Sequence, residues 1–254
     1  MNLPTTPSFS LKNKHALIVG ASSGIGLACA VALAEYGASI TIAARRSQKL
    51  EELSNSLKSK GVSADLLELD ISKTDKTLQI IHDLDPFDIL VNSAGMAKHS
   101  HSLDTKEADF DDVMGVNLKG AYFLTMAVAR RLISAKKGGS LINISSQMGL
   151  VGGQERAVYS ASKHAVEGFT KSIAIELGNS DIRVNTICPT FILTDLTKST
   201  FEDPKKLAWI KSKIKLGRVG RVEDIMGAVI FLASDASALI TGSSLVIDGG
   251  WTAE

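Results

Sequence analysis

His15-Ala16-Leu17-Ile18-Val19-Gly20-Ala21-Ser22-Ser23-Gly24-Ile25-Gly26 runs from a short apolar segment through a glycine-rich turn and on into a helical pattern. The apolar residues at 15–19 are continuous, as expected of a strand covered on both faces. Glycines at the turn permit a tight bend and close backbone approach, while the start of the following helix offers free N–H groups to a pyrophosphate. Gly20, Ser22, Ser23, Gly24, Ile25 and Gly26 are therefore candidates to hold a dinucleotide. Their spacing is G-x-x-x-G-x-G, not the commoner G-x-G-x-x-G. The same letters from Gly20 to Gly24 also spell G-x-S-x-G, the nucleophile elbow of serine hydrolases. That rival needs an acid and a histidine downstream, and it leaves the later motifs unexplained.

Outward from this turn, β-rich runs alternate with helical patterns along the chain. Strands are expected at 15–19, 39–43, 64–69, 88–91, 140–144, 182–187 and 244–247. Between them, Leu50, Leu53 and Leu57 form one helical stripe, and residues 223–233 form another. Such alternation predicts an α/β fold, a single Rossmann-type doubly wound domain with a seven-stranded parallel sheet. Residues 1–13 read as an N-terminal arm and 14–254 as one dinucleotide-binding catalytic domain. Ligands in such folds collect at the carboxyl ends of the strands, where the motifs fall.

Bulk composition narrows the class. Of 254 residues, 44% are hydrophobic, enough for a core without staples, and the net charge of +1 gives no electrostatic case for nucleic acid. The basic run at 205–215 is broken by Leu207, Trp209, Ile210 and Ile214, which suits an amphipathic surface helix. Cys29 and Cys188 lie in apolar segments and read as reduced core thiols of a cytoplasmic protein. No membrane span or signal peptide is expected.

An NAD site usually carries an acidic residue at the end of the second strand. Ala43-Ala44-Arg45-Arg46 stands there instead. A carboxylate repels a 2′-phosphate, whereas a guanidinium pairs with it, and cations opening a helix otherwise oppose its dipole. Arg45 and Arg46 thus predict NADP(H) as the preferred cofactor, with NAD(H) as the second option.

The strongest chemical signal is Tyr159-Ser160-Ala161-Ser162-Lys163. Spacing of four places Tyr159 and Lys163 on one helix face. A free phenol, with a pKa near ~10, is a poor base at neutral pH, and a nearby ammonium is expected to lower it. The pair can then handle a hydroxyl proton while a cofactor carries the hydride. Alone, Y-x-x-x-K is also what an ordinary amphipathic helix shows.

Together these motifs closely resemble the short-chain dehydrogenase/reductase family over nearly the whole chain. Gly20, Gly24 and Gly26 match its glycine turn, and Asn92-Ser93-Ala94-Gly95 its N-N-A-G segment. Asn117 matches its helix asparagine, Ser146 its serine thirteen residues before Tyr159, and Asp70, followed by Ile71, its adenine-side aspartate. Pro189, Ile192 and Thr194 match its P-G-x-I-x-T loop. The resemblance implies that Ser146 polarises the substrate carbonyl and Tyr159 exchanges its proton. Lys163 would bind the nicotinamide ribose, and Asn117 would hold a water linking Lys163 to solvent. Asn92, Ala94, Gly95, Tyr159 and Lys163 would border the cofactor. It also implies a homotetramer formed through the Tyr159 helix and the last strand.

Two departures stand out. Ser93 replaces the second asparagine of N-N-A-G, and Thr190 replaces the glycine after Pro189, losing freedom at positive φ near the nicotinamide. Gln147, Met148, Gly152, Gly153, Gln154 and Arg156 are expected around the substrate. Arg156 suits an anionic group such as a carboxylate, or equally a solvated or subunit-facing position. His99-Ser100-His101 reads as a pocket rim, since no Cys or carboxylate set completes a metal site. Phe191, Leu196 and Trp209 fall where the family has its substrate lid, and simple core packing accounts for them equally well. Residues 217–224 and Asp248-Gly249-Gly250 also match the family, with Glu223 and Asp224 suiting a helix start.

The expected function is interconversion of a secondary alcohol and a ketone by hydride transfer on a small-molecule substrate such as a sugar or sugar acid. A 3-oxoacyl thioester reductase and a non-catalytic dinucleotide-binding sensor are the alternatives, and a serine hydrolase comes after them.

Overall fold

The computed structural model describes residues 1–195 and 197–253. Seven parallel strands form one sheet in the order β3-β2-β1-β4-β5-β6-β7. In chain order they are β1 (His15–Val19), β2 (Ser39–Ala44), β3 (Ala64–Glu68), β4 (Ile89–Asn92), β5 (Gly139–Ile144), β6 (Ile182–Pro189) and β7 (Ser244–Ile247). The helices are α1 (Gly24–Glu35), α2 (Ser47–Lys58), α3 (Thr74–Asp83), α4 (Glu107–Met114), α5 (Ala121–Ser134), α6 (Ala157–Leu177), α7 (Lys198–Phe201), α8 (Pro204–Lys213) and α9 (Glu223–Ala233). The strand order reverses between β1 and β4, so the crevice of this doubly wound sheet opens beyond Val19 and Asn92.

Strand pleating divides the core in two. Ala16 and Ile18 of β1, Ile89 and Val91 of β4 and Ile142 of β5 face α1, α2 and α9. Leu17, Val19, Leu90 and Leu141 point the other way, into the residues of α3, α5 and α6. This is why the central strands are apolar at every position. The edge strand β3 departs from that rule: Asp65, Leu66 and Glu68 are exposed, and solvent replaces the missing neighbour.

Leu11, within the expected arm, is fully buried, and its N–H donates to the Tyr36 carbonyl at 2.8 Å. The basic run forms α8, capped by Asp203 and anchored through Ile210. Both cysteines are buried, and burial pushes each thiol up to about 12. Among the described residues, no helix is long and apolar enough to cross a membrane.

Candidate active site

The first turn works by close approach. Gly20 has φ +82°, and a Cβ there would lie 2.7 Å from the Ala94 nitrogen, so the β1 and β4 ends could not sit together. A Cβ at Gly26 would lie 2.2 Å from the Gly20 carbonyl oxygen, holding α1 off the turn. Packed this way, the N-terminus of α1 points its free N–H groups into a cleft of about 530 Å³.

Gly20, Ser22, Ser23, Gly24, Ile25, Arg45, Arg46, Asp70 and Ile71 line one end of this cleft. Ala94, Gly95, Ser146, Tyr159, Lys163, Pro189, Ile192 and Thr194 line the other. Gly26, Asn92 and Asn117 stand behind it. The Asn92 amide donates to Asn143 Oδ1 at 3.0 Å, tying β4 to β5, and its own oxygen accepts from the Ala94 N–H. The cleft also takes in Ala44, Leu69, Val116 and Thr190, which carried no distinctive sequence signal apart from Thr190.

At the adenosine end, Arg46 Nη2 donates to Ser22 Oγ at 3.0 Å. That contact answers the hydrolase alternative as well. Among the described residues no histidine hydrogen-bonds Ser22, and its hydroxyl serves a guanidinium. Asp70 Oδ1 accepts from the N–H and hydroxyl of Ser72, fixing the turn after β3. Cationic and hydroxyl donors at one end and helix N–H donors beside them fit a phosphorylated dinucleotide.

At the catalytic end, Lys163 is buried, and its Nζ donates to the Ile144 carbonyl at 2.9 Å. Burial draws its pKa down to about 8, and the Cys188 and Glu167 side chains oppose that shift. Tyr159 and Ser146 share the cleft, and the Ser146 Oγ accepts from the Met148 N–H at 3.1 Å. The lowering expected for Tyr159 from Lys163 is not what the structure gives. Burial raises the phenol, and the downward influences are the neighbouring Ser146 side chain and the Arg156 charge. Lys163 Nζ stands 5.8 Å from the Tyr159 ring centroid and spends its hydrogen bond on β5.

Asn117 sits in a π-helical turn, Gly115–Gly120, between α4 and α5. Its side chain is fully engaged within the protein. Oδ1 accepts from the Met96 N–H, while Nδ2 donates to the Met96 carbonyl and to Ser162 Oγ. Ser162 in turn donates to the Tyr159 carbonyl at 2.7 Å. Asn117 therefore fixes the α6 turn that bears Tyr159 and Lys163. Ser162 and the Ile144 carbonyl were missed in the sequence, because a serine and a backbone oxygen carry no distinctive pattern.

Thr190 keeps a negative φ, and its N–H donates to Ile247, so the loop tolerates it without strain. The Ser93 N–H donates to the Val19 carbonyl and preserves the β1–β4 seam. His99 stands edge-on to Tyr159 with ring centroids 6.1 Å apart, and burial and the Arg156 charge hold it neutral, with a pKa of about 4. His101 instead turns to the Leu103 N–H. Phe191 stacks on Trp251, which meets Trp209 edge-on, so the expected lid residues join the C-terminus in an aromatic cluster. Leu196 lies outside the described residues.

The sequence profile described as enoyl-(acyl carrier protein) reductase matches residues 20–252. The chain is 39% identical to a 2-dehydro-3-deoxy-D-gluconate 5-dehydrogenase of Bacillus subtilis (strain 168), over 96% of each chain. It is 36% identical to a D-erythrulose reductase of Gallus gallus, covering 96% of this chain and 98% of the relative. The crystal structure of a gluconate 5-dehydrogenase from Burkholderia cenocepacia J2315 in complex with NADP and tartrate superposes with a TM-score of 0.93 at 33% identity, covering 97% of this chain and 98% of the other. With this sheet order and this glycine turn, the chain belongs to the short-chain dehydrogenase/reductase family, a family of oxidoreductases acting on alcohol and ketone groups.

Proposed function

We propose that this chain is an NADP(H)-dependent oxidoreductase that interconverts a secondary alcohol and a ketone on a sugar or sugar acid. One observation carries the reading: a single cleft has the Arg46–Ser22 pair at one end and Tyr159, Ser146 and Lys163 at the other. When bound, NADP(H) supplies the hydride donor or acceptor. Tyr159 gives its proton to the carbonyl oxygen in reduction and takes it back in oxidation. A phenol raised by burial keeps that proton at neutral pH. Ser146 steadies the same oxygen with its hydroxyl. Lys163, fixed to the Ile144 carbonyl, releases or takes up a proton close to neutrality. Arg45 and Arg46 select the 2′-phosphate.

Relatives that act on sugar acids and on a ketose support the substrate class. An intact Ser146, Tyr159 and Lys163 set disfavours the sensor reading, because holding a dinucleotide does not require it. Cytoplasmic location and a homotetramer complete the proposal.

The test is purified enzyme with NADP⁺ or NAD⁺ against aldonates, polyols and simple secondary alcohols, followed by absorbance of the reduced nicotinamide. NADPH with ketoses and 3-oxoacyl thioesters runs in parallel. Turnover of sugars or sugar acids with NADP(H) is the expected result. Turnover confined to thioesters would replace the substrate, and tight cofactor binding with no turnover of any substrate would favour the sensor.

A further inference from the structure

Arg156 is a charged side chain beside Tyr159 that transfers no proton itself, although its charge lowers the phenol. It is half-buried and makes no hydrogen bond or ion pair to another described residue. Its guanidinium carbon lies 5.8 Å from the centroid of the Phe191 ring, which gives it an aromatic platform. Its charge is felt by both the Tyr159 phenol and the His99 imidazole. His99 is neutral, so it adds no competing positive charge and can offer one N–H or one lone pair.

The local backbone makes room for this arginine. A Cβ on Gly153 would lie 3.1 Å from Arg156 Cγ and 2.8 Å from Met148 Sδ, so the absent side chain leaves room for the arginine stem. Glu155 adopts a left-handed φ of 58°, and the Arg156 N–H closes back on the Gly153 carbonyl at 3.1 Å. Glu155 is the adjacent carboxylate, yet no ion pair forms between the two. The Glu155 charge still acts on Arg156, but a partly desolvated guanidinium with no hydrogen-bonded partner is better satisfied when an anion arrives to meet it.

We propose that Arg156, backed by Phe191 and flanked by His99, binds the carboxylate of an open-chain polyhydroxy acid whose reacting secondary hydroxyl is presented to Tyr159. This inference rests on the sugar or sugar-acid reading above and chooses the acid. The planar fork of the guanidinium suits a carboxylate bidentately, and the aromatic platform holds the fork in one plane. A neutral polyol of the same length would leave the charge unmet and would be discriminated against.

The experiment compares wild-type enzyme with Arg156→Met and Arg156→Lys on an aldonate and on a neutral polyol. Titration of tartrate into the NADP⁺-loaded enzyme gives a readout independent of turnover. For Arg156→Met, kcat/KM should fall about 10- to 100-fold more on the aldonate than on the polyol, the extra loss lying mostly in KM. Tartrate affinity should fall in parallel, and Arg156→Lys should recover part of both. Wild-type enzyme that favours polyols, or an Arg156→Met variant that loses both substrates equally, would overturn the carboxylate site and leave the sugar reading standing. Turnover confined to 3-oxoacyl thioesters would overturn both.

Discussion

At the scale of single residues, the site divides proton handling from charge recognition. Among the described residues Tyr159 is the one tyrosine that lines the cleft, so no second phenol stands by to take over its proton. Tyr159→Phe should lower kcat by at least about 100-fold, the lower end of general acid–base contributions. NADPH affinity, measured by fluorescence titration, should stay within about 3-fold, and full activity would refute the assignment. Arg46 offers a second clean separation. Its replacement by alanine frees Ser22 and removes a charge-assisted partner for the 2′-phosphate. NADP⁺ affinity should drop about 10- to 100-fold with NAD⁺ affinity unchanged. Equal loss of both cofactors would show that Arg46 holds the turn and does not read the phosphate.

Among the elements, α6 carries the most chemistry. Tyr159, Lys163 and Glu167 follow one another at spacings of four along one face. Glu167 is buried and accepts from Thr186 Oγ1 at 2.9 Å, Cys188 Sγ at 3.3 Å and Ser244 Oγ, so it locks the helix to β6 and β7. Its charge also opposes the lowering of the Lys163 pKa. Glu167→Gln removes that support, so Lys163 should titrate below its present value of about 8. The limb of the pH–kcat profile that follows Lys163 should move to lower pH, while an unmoved limb would exclude the coupling. Stability should fall by about 1–3 kcal/mol, because a carboxamide cannot accept from all three donors as a carboxylate does.

The elements also show where sequence reading reaches its limit. Tyr159, Lys163 and the glycine turn were legible because local chemistry fixes their spacing. The seven strands were legible because central parallel strands are apolar throughout, and β3 was the least typical because an edge strand answers to solvent on one side. Contacts made by the backbone or across great sequence distance left no local trace, as with the Ile144 carbonyl on Lys163 or Phe191 against Trp251. Asp224 was read as a helix-dipole partner. In the structure its first allegiance is a bidentate pair with Arg218, at 2.6 and 2.7 Å.

For the whole molecule, that last pair sets an acid response. The Arg218 hydrogen bonds, aided by the Arg221 N–H, hold Asp224 down to about 2. A carboxyl whose folded pKa lies below its unfolded one stabilises the fold above the ordinary carboxylate range, and the benefit is lost as pH falls toward about 2. The pair lies near the surface, so solvent screens it and its worth is small. Arg218→Ala should flatten the acid side of a thermal-stability profile between pH ~4 and ~2 without changing the alkaline side. The proposed homotetramer is tested at this scale too. Phe110, Tyr122 and Ile175 leave apolar surface exposed on α4, α5 and α6, and Val246 does so on β7. Sedimentation should give a closed symmetric oligomer, and Ile175→Lys should shift it toward smaller species. A wild-type monomer would rule out the tetramer.

The aromatic cluster beside the cleft has an optical consequence. The chain has only two tryptophans, and Trp209 and Trp251 meet edge-on with ring centroids 5.4 Å apart. All of its indole emission therefore arises from one spot, next to the ring that supports Arg156. Unlabelled protein carries its own reporter, blind to the distant sheet edge and tuned to whatever settles against Phe191.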